Sequence, residues 1–341
     1  MVATVRDNVS PIARTLRLSI TGECNLSCFY CRSVGSSREL FSTKNPVQPS
    51  DVTKLIRIVG ELGVTKILIG GGEPLLRKDA ANFVKAAFAH KAISDVRLVT
   101  NGTFLKTFAD PLRKMGLRKV DVAFDSLNFM KYQRITGRDS LYRVLDGIDK
   151  VEKLNFSEIR LHIHLLKGIN EEEVIDFARM TKDRPLHVRF LEYCPRTANG
   201  DPYASRLGLP VYEVRRAIEN FQTLVRVYDL ETEVPVPTYR FADAVGKISF
   251  LGPSEIDAEE AVPRILFNVE GVLSNELVPN RPQPILADLR RDAKEDRLHR
   301  VIEKVMALQP EPKKMVAKPT KKIPAMVPPK KRVHAGHAAR R

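Results

Sequence analysis

Residues 16–31 read LRLSITGECNLSCFYC, and they place three cysteines directly after a stretch with the apolar alternation of a β-strand. Cys24, Cys28 and Cys31 follow a C-x₃-C-x₂-C spacing. Soft thiolates bind zinc or iron–sulfur clusters, and a loop of this spacing can wrap three sulfurs around one face of a cubane. A structural zinc site normally has a fourth Cys or His ligand, and none is nearby in the sequence. The loop therefore predicts an iron–sulfur cluster with one iron open to a small molecule.

Outward from this loop, strand-like apolar runs alternate with helical patterns up to about residue 191. Such alternation predicts parallel βαβ units. Six of them favour an α/β fold built as an incomplete (β/α)₆ TIM-type barrel. The predicted strands cover residues 16–20, 67–69, 96–100, 120–124, 159–165 and 187–191, and the predicted helices cover 51–62, 78–88, 108–115, 141–154 and 172–180.

After Pro210 the pattern changes to a smaller α+β region. The predicted helices there cover 211–221, 286–290 and 296–308, and the predicted strands cover 224–228, 239–241, 247–251 and 264–269, with a hairpin return at 271–278. We therefore expect three parts: a barrel over 1–205, a C-terminal region over 206–309 and a tail over 310–341.

Composition argues for a folded protein with a charged tail. The chain has 341 residues, 43% hydrophobic and 28% charged, with no apolar run of transmembrane length and no signal-peptide core, so we expect a cytoplasmic protein without a membrane partner. Of the net charge of +15, the tail contributes ten Lys and Arg against one acid. This Pro-rich tail is expected to be disordered. It could bind nucleic acid, but the lack of aromatic residues favours a solvated extension.

The cysteine loop, with Tyr30 before its last cysteine, resembles the signature of the radical S-adenosylmethionine superfamily. Three further segments, 71–74 (GGEP), 100–102 (TNG) and 125–127 (DSL), follow predicted strands as in that family. The resemblance implies one [4Fe-4S] cluster held by Cys24, Cys28 and Cys31, and reductive cleavage of S-adenosylmethionine to a 5′-deoxyadenosyl radical. It assigns no separate catalytic residue. The contacts to S-adenosylmethionine that it implies are Tyr30, Gly71, Gly72, Glu73, Pro74, Thr100, Asn101, Ser126 and Cys194.

More narrowly, the chain is similar to the GTP 3′,8-cyclase family of molybdenum cofactor biosynthesis, whose members are lyases. The matching segments are KILIGGGEPLLRKD (66–79), VTNGTFL (99–105), VAFDSLN (122–128), ITGRD (135–139) and VRFLEY (188–193). The similarity implies a GTP-like substrate and an electron donor such as flavodoxin or ferredoxin. Basic groups at a barrel mouth suit a phosphate ester. By motif, the substrate phosphates would be contacted by Arg17, Lys66, Arg160, Arg189 and Arg264.

The C-terminal half departs from this family. The family has a second cluster held by three cysteines, and in this chain Glu259, Val262 and Glu276 stand at the positions of those cysteines. Leu266 replaces one of two arginines, and the chain ends in Ala-Ala-Arg-Arg where the family has Gly-Gly. We therefore favour a radical enzyme acting on a different phosphorylated, nucleotide-like substrate. A strict GTP 3′,8-cyclase is the first alternative, and a non-catalytic iron–sulfur or RNA-binding protein is the second.

Overall fold

The computed structural model describes residues 14–32, 45–193, 204–228, 236–291 and 295–308. The chain divides into two units between Gln309 and Pro310. The predicted contact Cys194 and the basic tail lie outside the described residues. Within the described ranges, no helix is both long enough and apolar enough to cross a membrane.

The core of the molecule is a parallel sheet that follows the predicted strands. Its first six strands are β1 (Thr15–Ser19), β2 (Lys66–Gly70), β3 (Asp95–Thr100), β4 (Lys119–Ala123), β5 (Glu158–Leu165) and β6 (Leu186–Glu192). They are neighbours in this order, and each pair is parallel. Residues alternate between the two faces of each strand. In β1, Leu16 and Leu18 are buried in the main hydrophobic core, so Arg17 between them points to the opposite, inner face.

Helices follow most of these strands and cover the outside of the sheet. They are α1 (Phe29–Arg32), α2 (Pro49–Glu61), α3 (Ala80–Ala87), α4 (Leu105–Lys114), α5 (Phe129–Thr136), α6 (Leu141–Lys153) and α7 (Val174–Arg179). Helix α5 was not predicted from its apolar pattern. Local signals nevertheless define it, since the Asn128 side chain accepts a hydrogen bond from Lys131 N and Gly137 ends the helix with φ 70°.

The C-terminal region extends the same sheet at both ends. After α8 (Ala204–Leu207) and α9 (Val211–Phe221) come β7 (Leu224–Val227), β8 (Thr238–Phe241), β9 (Lys247–Leu251), α10 (Pro253–Ala261), β10 (Arg264–Phe267), β11 (Val272–Asn275), β12 (Val278–Pro284), α11 (Leu286–Arg290) and α12 (Glu295–Met306). Strand β9 lies parallel beside β6, and β10 lies parallel beside β1. The other C-terminal strands are antiparallel.

The predicted fold class is therefore confirmed: a parallel partial barrel with an α+β C-terminal region. Helix α10 was missed, because its sequence PSEIDAEEA carries no apolar stripe for the 3.6-residue period to reveal. This helix carries Glu259.

Candidate active site

The cysteine loop lies between β1 and α1, at the carboxyl end of the parallel strands. Cys24 and Cys28 are partly buried, Cys31 is exposed, and none of the three is in a disulfide. The short helix α1 brings Cys31 N within 3.1 Å of the Cys28 carbonyl oxygen. Burial, the Asp125 carboxylate and the other two thiols raise the pKa of Cys28 to about 12. Three thiols that influence one another are therefore presented on one loop.

The GGEP segment is hydrogen-bonded to the start of this loop. Gly72 N donates to Thr21 O at 2.8 Å, and Glu73 N donates to Glu23 O at 2.7 Å. A Cβ on Gly71 would lie 2.2 Å from Thr21 O, and one on Gly72 would lie 2.1 Å from Glu23 O. Only glycine allows the two backbones to approach so closely. The two motifs are thus parts of one local structure.

Glu73 connects the GGEP segment to the end of β3. Its side chain is fully buried, and its carboxylate accepts hydrogen bonds from Thr100 Oγ1 at 2.8 Å, Asn101 N at 2.7 Å and Leu75 N at 2.9 Å. Burial raises the pKa of this carboxyl. Asn101 in turn donates from Nδ2 to Asn25 Oδ1 at 2.9 Å and approaches Cys24 Sγ at 3.8 Å. Glu73 therefore positions Asn101 beside the cysteine loop.

Tyr30 is held by Asp125, the first residue of the DSL segment. Its hydroxyl donates to Asp125 Oδ2 at 2.5 Å, and its ring centroid lies 4.7 Å from that of His164. Asp125 Oδ1 accepts from His164 N at 2.8 Å and lies 3.1 Å from His164 Nδ1. Burial lowers the pKa of His164, but the Asp125 carboxylate outweighs it, so the pKa is raised overall. Asn170 Nδ2 donates to the Asp125 carbonyl oxygen at 2.8 Å and completes this support.

Ser126 is fully buried and bonded to protein groups. Its hydroxyl lies 2.9 Å from Glu173 Oε1 and 3.1 Å from the Asn128 carbonyl oxygen. Glu173 also accepts from Leu127 N at 2.6 Å. Ser126 therefore shapes the turn after β4, with Glu173 as a partner that no sequence motif had indicated.

The five basic residues predicted to contact substrate all belong to strands of the parallel sheet, and ion pairs hold Arg17, Arg160 and Arg189 there. Arg17 Nη1 lies 3.0 Å from Glu276 Oε1, Arg160 Nε lies 2.6 Å from Glu158 Oε1, and Arg189 Nη2 lies 2.6 Å from Glu259 Oε1. Lys66 and Arg264 are both opposite Thr15 in the register of β1. The buried Arg264 Nε has no hydrogen-bond partner among the described residues.

Inside the barrel, Arg160 and Arg189 belong to a larger ionic network. Buried Arg97 is paired with Asp121 at 2.8 Å and also with Glu158. Two histidines are part of the same network. Burial lowers the pKa of His162 to about 3 and that of His187 to about 4, so both imidazoles are neutral at pH 7. Accordingly, His162 Nε2 accepts from Arg189 Nη1 at 3.4 Å.

The donor set fits an iron–sulfur cluster. Three thiols on one loop are the soft ligands that such clusters use, and Asn101 offers an N–H to Cys24 Sγ. Within the described ranges, no three Cys, His, Asp or Glu side chains converge on a position for a single metal ion.

The residues missed by sequence reasoning are partners of the motif residues: His164, Asn170, Glu173 and Asn25. His164 could have been found, because it alternates with His162 on the inner face of a strand whose other face is apolar. The others lie in turns that carry no comparable pattern.

A family model described as the Radical SAM superfamily matches residues 18–181. The chain is 30% identical over 309 residues to the GTP 3′,8-cyclase of Alkaliphilus metalliredigens (strain QYMF), covering 90% of this chain and 93% of the relative. It is 40% identical over 180 residues to the GTP 3′,8-cyclase of Lactiplantibacillus plantarum, covering 53% and 54%.

Among solved structures, the chain resembles Streptococcus suis SuiB bound to S-adenosylmethionine. The TM-score is 0.58 at 14% sequence identity, and the match covers 86% of this chain and 67% of that chain. At this identity the likeness is one of fold.

Proposed function

The chain belongs to the radical S-adenosylmethionine superfamily and is related over most of its length to the GTP 3′,8-cyclases, and from this premise we propose that it removes hydrogen from a phosphorylated, nucleotide-like substrate. The reaction would use one [4Fe-4S] cluster and S-adenosylmethionine, with a cytoplasmic donor such as flavodoxin or ferredoxin as the electron source. The barrel, residues 1–205, would carry the radical chemistry, and residues 206–309 would contribute to substrate binding.

One observation carries this proposal: the cysteine loop, the GGEP segment and the end of β3 form one hydrogen-bonded unit. Gly72 N bonds to Thr21 O, Glu73 links Thr100 to Asn101, and Asn101 reaches Cys24. Ligand groups at the carboxyl ends of strands are what a parallel barrel offers a small molecule. A loop kept only as a structural metal site would have no need for contacts to two further strand ends.

The roles proposed for the residues follow from this placement. Cys24, Cys28 and Cys31 would hold the cluster through three irons. When bound, the cluster supplies one electron to S-adenosylmethionine, whose cleavage yields the 5′-deoxyadenosyl radical. Backbone groups of the GGEP segment, with Thr100 and Asn101, would position S-adenosylmethionine. Tyr30 is fixed by Asp125, so its ring has one orientation beside the cysteine loop.

Strict GTP 3′,8-cyclisation in molybdenum cofactor biosynthesis is the second candidate. It is favoured by the full-length similarity to GTP 3′,8-cyclases. Glu259, Val262 and Glu276, which stand at the cysteine positions of the family's second cluster, argue against it. Carboxylates are hard ligands that suit an iron–sulfur cluster poorly, and the valine side chain cannot bind a metal. We therefore propose that the substrate differs from that of these relatives.

The direct test is anaerobic reconstitution with iron and sulfide, followed by incubation with S-adenosylmethionine, dithionite and a panel of nucleotides. Mass spectrometry should detect 5′-deoxyadenosine, and one nucleotide should increase its yield and be converted to a new product. Absence of 5′-deoxyadenosine from a protein with a full complement of cluster would disprove the proposed activity. Formation of the cyclised GTP product at a rate matching the relatives would support the second candidate.

A further inference from the structure

Three histidines lie on the inner face of strands β5 and β6, and they differ in what their ring nitrogens contact. His162 Nε2 accepts a hydrogen bond from Arg189 at 3.4 Å, and His187 Nε2 lies 2.7 Å from a serine hydroxyl. His164 Nδ1 lies 3.1 Å from Asp125 Oδ1. In the part of the chain that the structure describes, His164 Nε2 has no hydrogen-bond partner, and it is not buried. One nitrogen of this ring is therefore accessible to a ligand.

His164 is also placed where a substrate would meet the site. Its neighbours in β5, Ile163 and Leu165, are buried in the hydrophobic core, so the His164 side chain points to the inner face of the barrel. This side chain is 29% exposed, and its ring centroid lies 4.7 Å from that of Tyr30 in the cysteine loop. Parallel barrels bind their ligands at this carboxyl end of the strands. His164 thus lines the end of the barrel at which the proposed radical chemistry would occur.

Asp125 determines which nitrogen of His164 carries the proton. A carboxylate accepts hydrogen bonds, so Nδ1 donates to Asp125 and the neutral ring has its lone pair on Nε2. A carboxylate in this position orients an imidazole base and stabilises the imidazolium that forms from it. Burial lowers the pKa of His164, but Asp125 outweighs burial and raises the pKa overall, whereas burial lowers the pKa of His162 to about 3. His164 is therefore the better proton acceptor of the two.

Resting on the function proposed above, we propose that His164 is a catalytic base, which takes the proton of a hydroxyl group on the substrate carbon from which hydrogen is removed. The substrate is then an alcohol whose hydroxyl lies within hydrogen-bond distance of His164 Nε2. The same ring also packs against Tyr30, so a test has to separate proton transfer from support of Tyr30.

The proposed proton transfer balances within the site. The hydrogen atom of the C–H bond goes to the 5′-deoxyadenosyl radical, and the unpaired electron left on the carbon makes the adjacent O–H more acidic. The O–H bond then breaks, its electron pair stays on the oxygen, and the proton forms a bond to His164 Nε2. His164 gains no electron in this step, so the step needs no further oxidant or reductant. The Asp125 carboxylate stabilises the resulting imidazolium.

Chemical modification of the reconstituted wild type tests whether His164 Nε2 is available. Diethyl pyrocarbonate reacts with accessible, unprotonated imidazole nitrogens, and peptide mass spectrometry locates the adducts. His164 should be modified in the native protein, whereas His187, whose side chain is 6% exposed, should be modified only after unfolding. Absence of an adduct at His164 in the native protein would overturn the inference. This measurement needs neither a variant nor a substrate.

Two variants separate proton transfer from support of Tyr30. With a nucleotide that the wild type converts, His164→Gln and His164→Phe should each lower product formation by about 100-fold or more, the contribution of a positioned base. Formation of 5′-deoxyadenosine without a nucleotide should stay within about threefold of the wild type, because it precedes the proton transfer. His164→Phe also keeps an aromatic ring beside Tyr30. The control His299→Gln removes a histidine outside the barrel interior and should change neither rate.

An equal loss of 5′-deoxyadenosine and product in both His164 variants would show that His164 only supports Tyr30. Product formation equal to that of the wild type would overturn the inference as well. Where the variants do not fold, the modification of the wild type still decides whether the base is available. The two proposals fail separately: a wild type that converts no nucleotide would refute the proposed substrate class, whereas the adduct at His164 does not depend on the substrate.

Discussion

At the residue scale, Glu73 illustrates how a motif side chain can act through its neighbours. Both of its carboxylate oxygens accept hydrogen bonds from protein groups, and the side chain has no solvent-exposed surface. Glu73 is therefore a positioning residue, because its carboxylate holds Asn101 beside the cysteine loop. Tyr30 is similar, because Asp125 fixes its hydroxyl and His164 supports its ring.

The first prediction concerns the three cysteines. Cys24→Ala, Cys28→Ala and Cys31→Ala should each abolish 5′-deoxyadenosine formation, since each removes one of the three thiolates that hold the cluster. Reconstituted wild type should contain about four irons and four sulfides per chain. Cys194→Ala is the matched control and should leave the cluster assembled. About eight irons per chain, or tight zinc binding in place of iron, would contradict the prediction.

At the element scale, the site depends on close backbone contact between the cysteine loop and the end of β2. This contact was foreseeable only in part. Periodicity located β2 and the cysteine spacing identified the loop, but neither shows that residues 21–23 and 71–73 are hydrogen-bonded. Nor did the sequence pattern reveal α10, because this polar helix has no apolar stripe.

The second prediction tests this contact. Gly72→Ala should prevent or strongly reduce cluster assembly, because the new Cβ would lie 2.1 Å from Glu23 O and force the cysteine loop away from β2. Gly70→Ala is the matched control, since its Cβ would meet Val99 at an ordinary 3.7 Å. Iron content and the absorbance of the reconstituted cluster are the measurements. Equal cluster content in the two variants would show that the close approach is not needed.

At the scale of the whole molecule, the interior of the barrel is an ionic network and not an apolar core. Each charged side chain of this network is paired with a group on another element or with the residue two positions away on its own strand. The network comprises Arg97, Asp121, Glu158, Arg160 and Arg189. Burial raises the pKa values of Asp121 and Glu158, but their neighbours outweigh it: Arg97 lowers the pKa of Asp121, and His187 together with Arg97 lowers that of Glu158. Stability should therefore depend on pH.

The third prediction concerns this dependence. The pKa values of His162 and His187 are lowered to about 3 and about 4 by burial, against about 6.5 in the unfolded chain. Because the folded pKa is the lower one, their contribution to stability is complete above pH 6.5 and is lost as the pH falls toward 3–4. We expect the free energy of unfolding to decrease from pH 6.5 to pH 5 by up to about 1.4 kcal/mol per pH unit for each histidine.

Urea unfolding followed by circular dichroism under anaerobic conditions measures this effect. The variants His162→Gln and His187→Gln should each flatten the dependence between pH 6.5 and 5. His299→Gln, which removes a histidine that is paired with Glu61 outside the barrel interior, should leave it unchanged. A wild-type stability that does not vary over this range would mean that the two imidazoles are not kept neutral by burial.

The fourth prediction is that the protein will not replace a strict GTP 3′,8-cyclase. Glu259, Val262 and Glu276 provide no set of thiolates for a second cluster, and the two glutamates are paired with arginines. A substrate held with about 1 Å of slack can react a hundredfold more slowly. Expression in a bacterium that lacks the cyclase should leave its molybdoenzymes inactive. The cyclase of Alkaliphilus metalliredigens in the same vector is the positive control, and full rescue by the present chain would contradict the prediction.

The sequence by itself determined the succession of parallel strands and helices, the cysteine loop and the motifs that follow the strands. Each of these follows from local pattern: alternation that buries one face of a strand, helical stripes, and ligands spaced within one short loop. These signals do not depend on where distant parts of the chain lie, so they could be read without a structure.

Only the tertiary structure decided which charges meet. Arg17 and Glu276 are 259 residues apart, and Arg189 and Glu259 are 70 apart. Strand periodicity places Arg17 and Arg189 on the inner face, but it cannot choose their partners. That choice depends on β10 joining β1, β9 joining β6, and α10 following β9, and these pairings bring two carboxylates of the C-terminal region to the arginines. The net charge that a substrate would meet inside the barrel therefore depends on strand order and on closure of the sheet, because ion pairs form between residues that are neighbours in space.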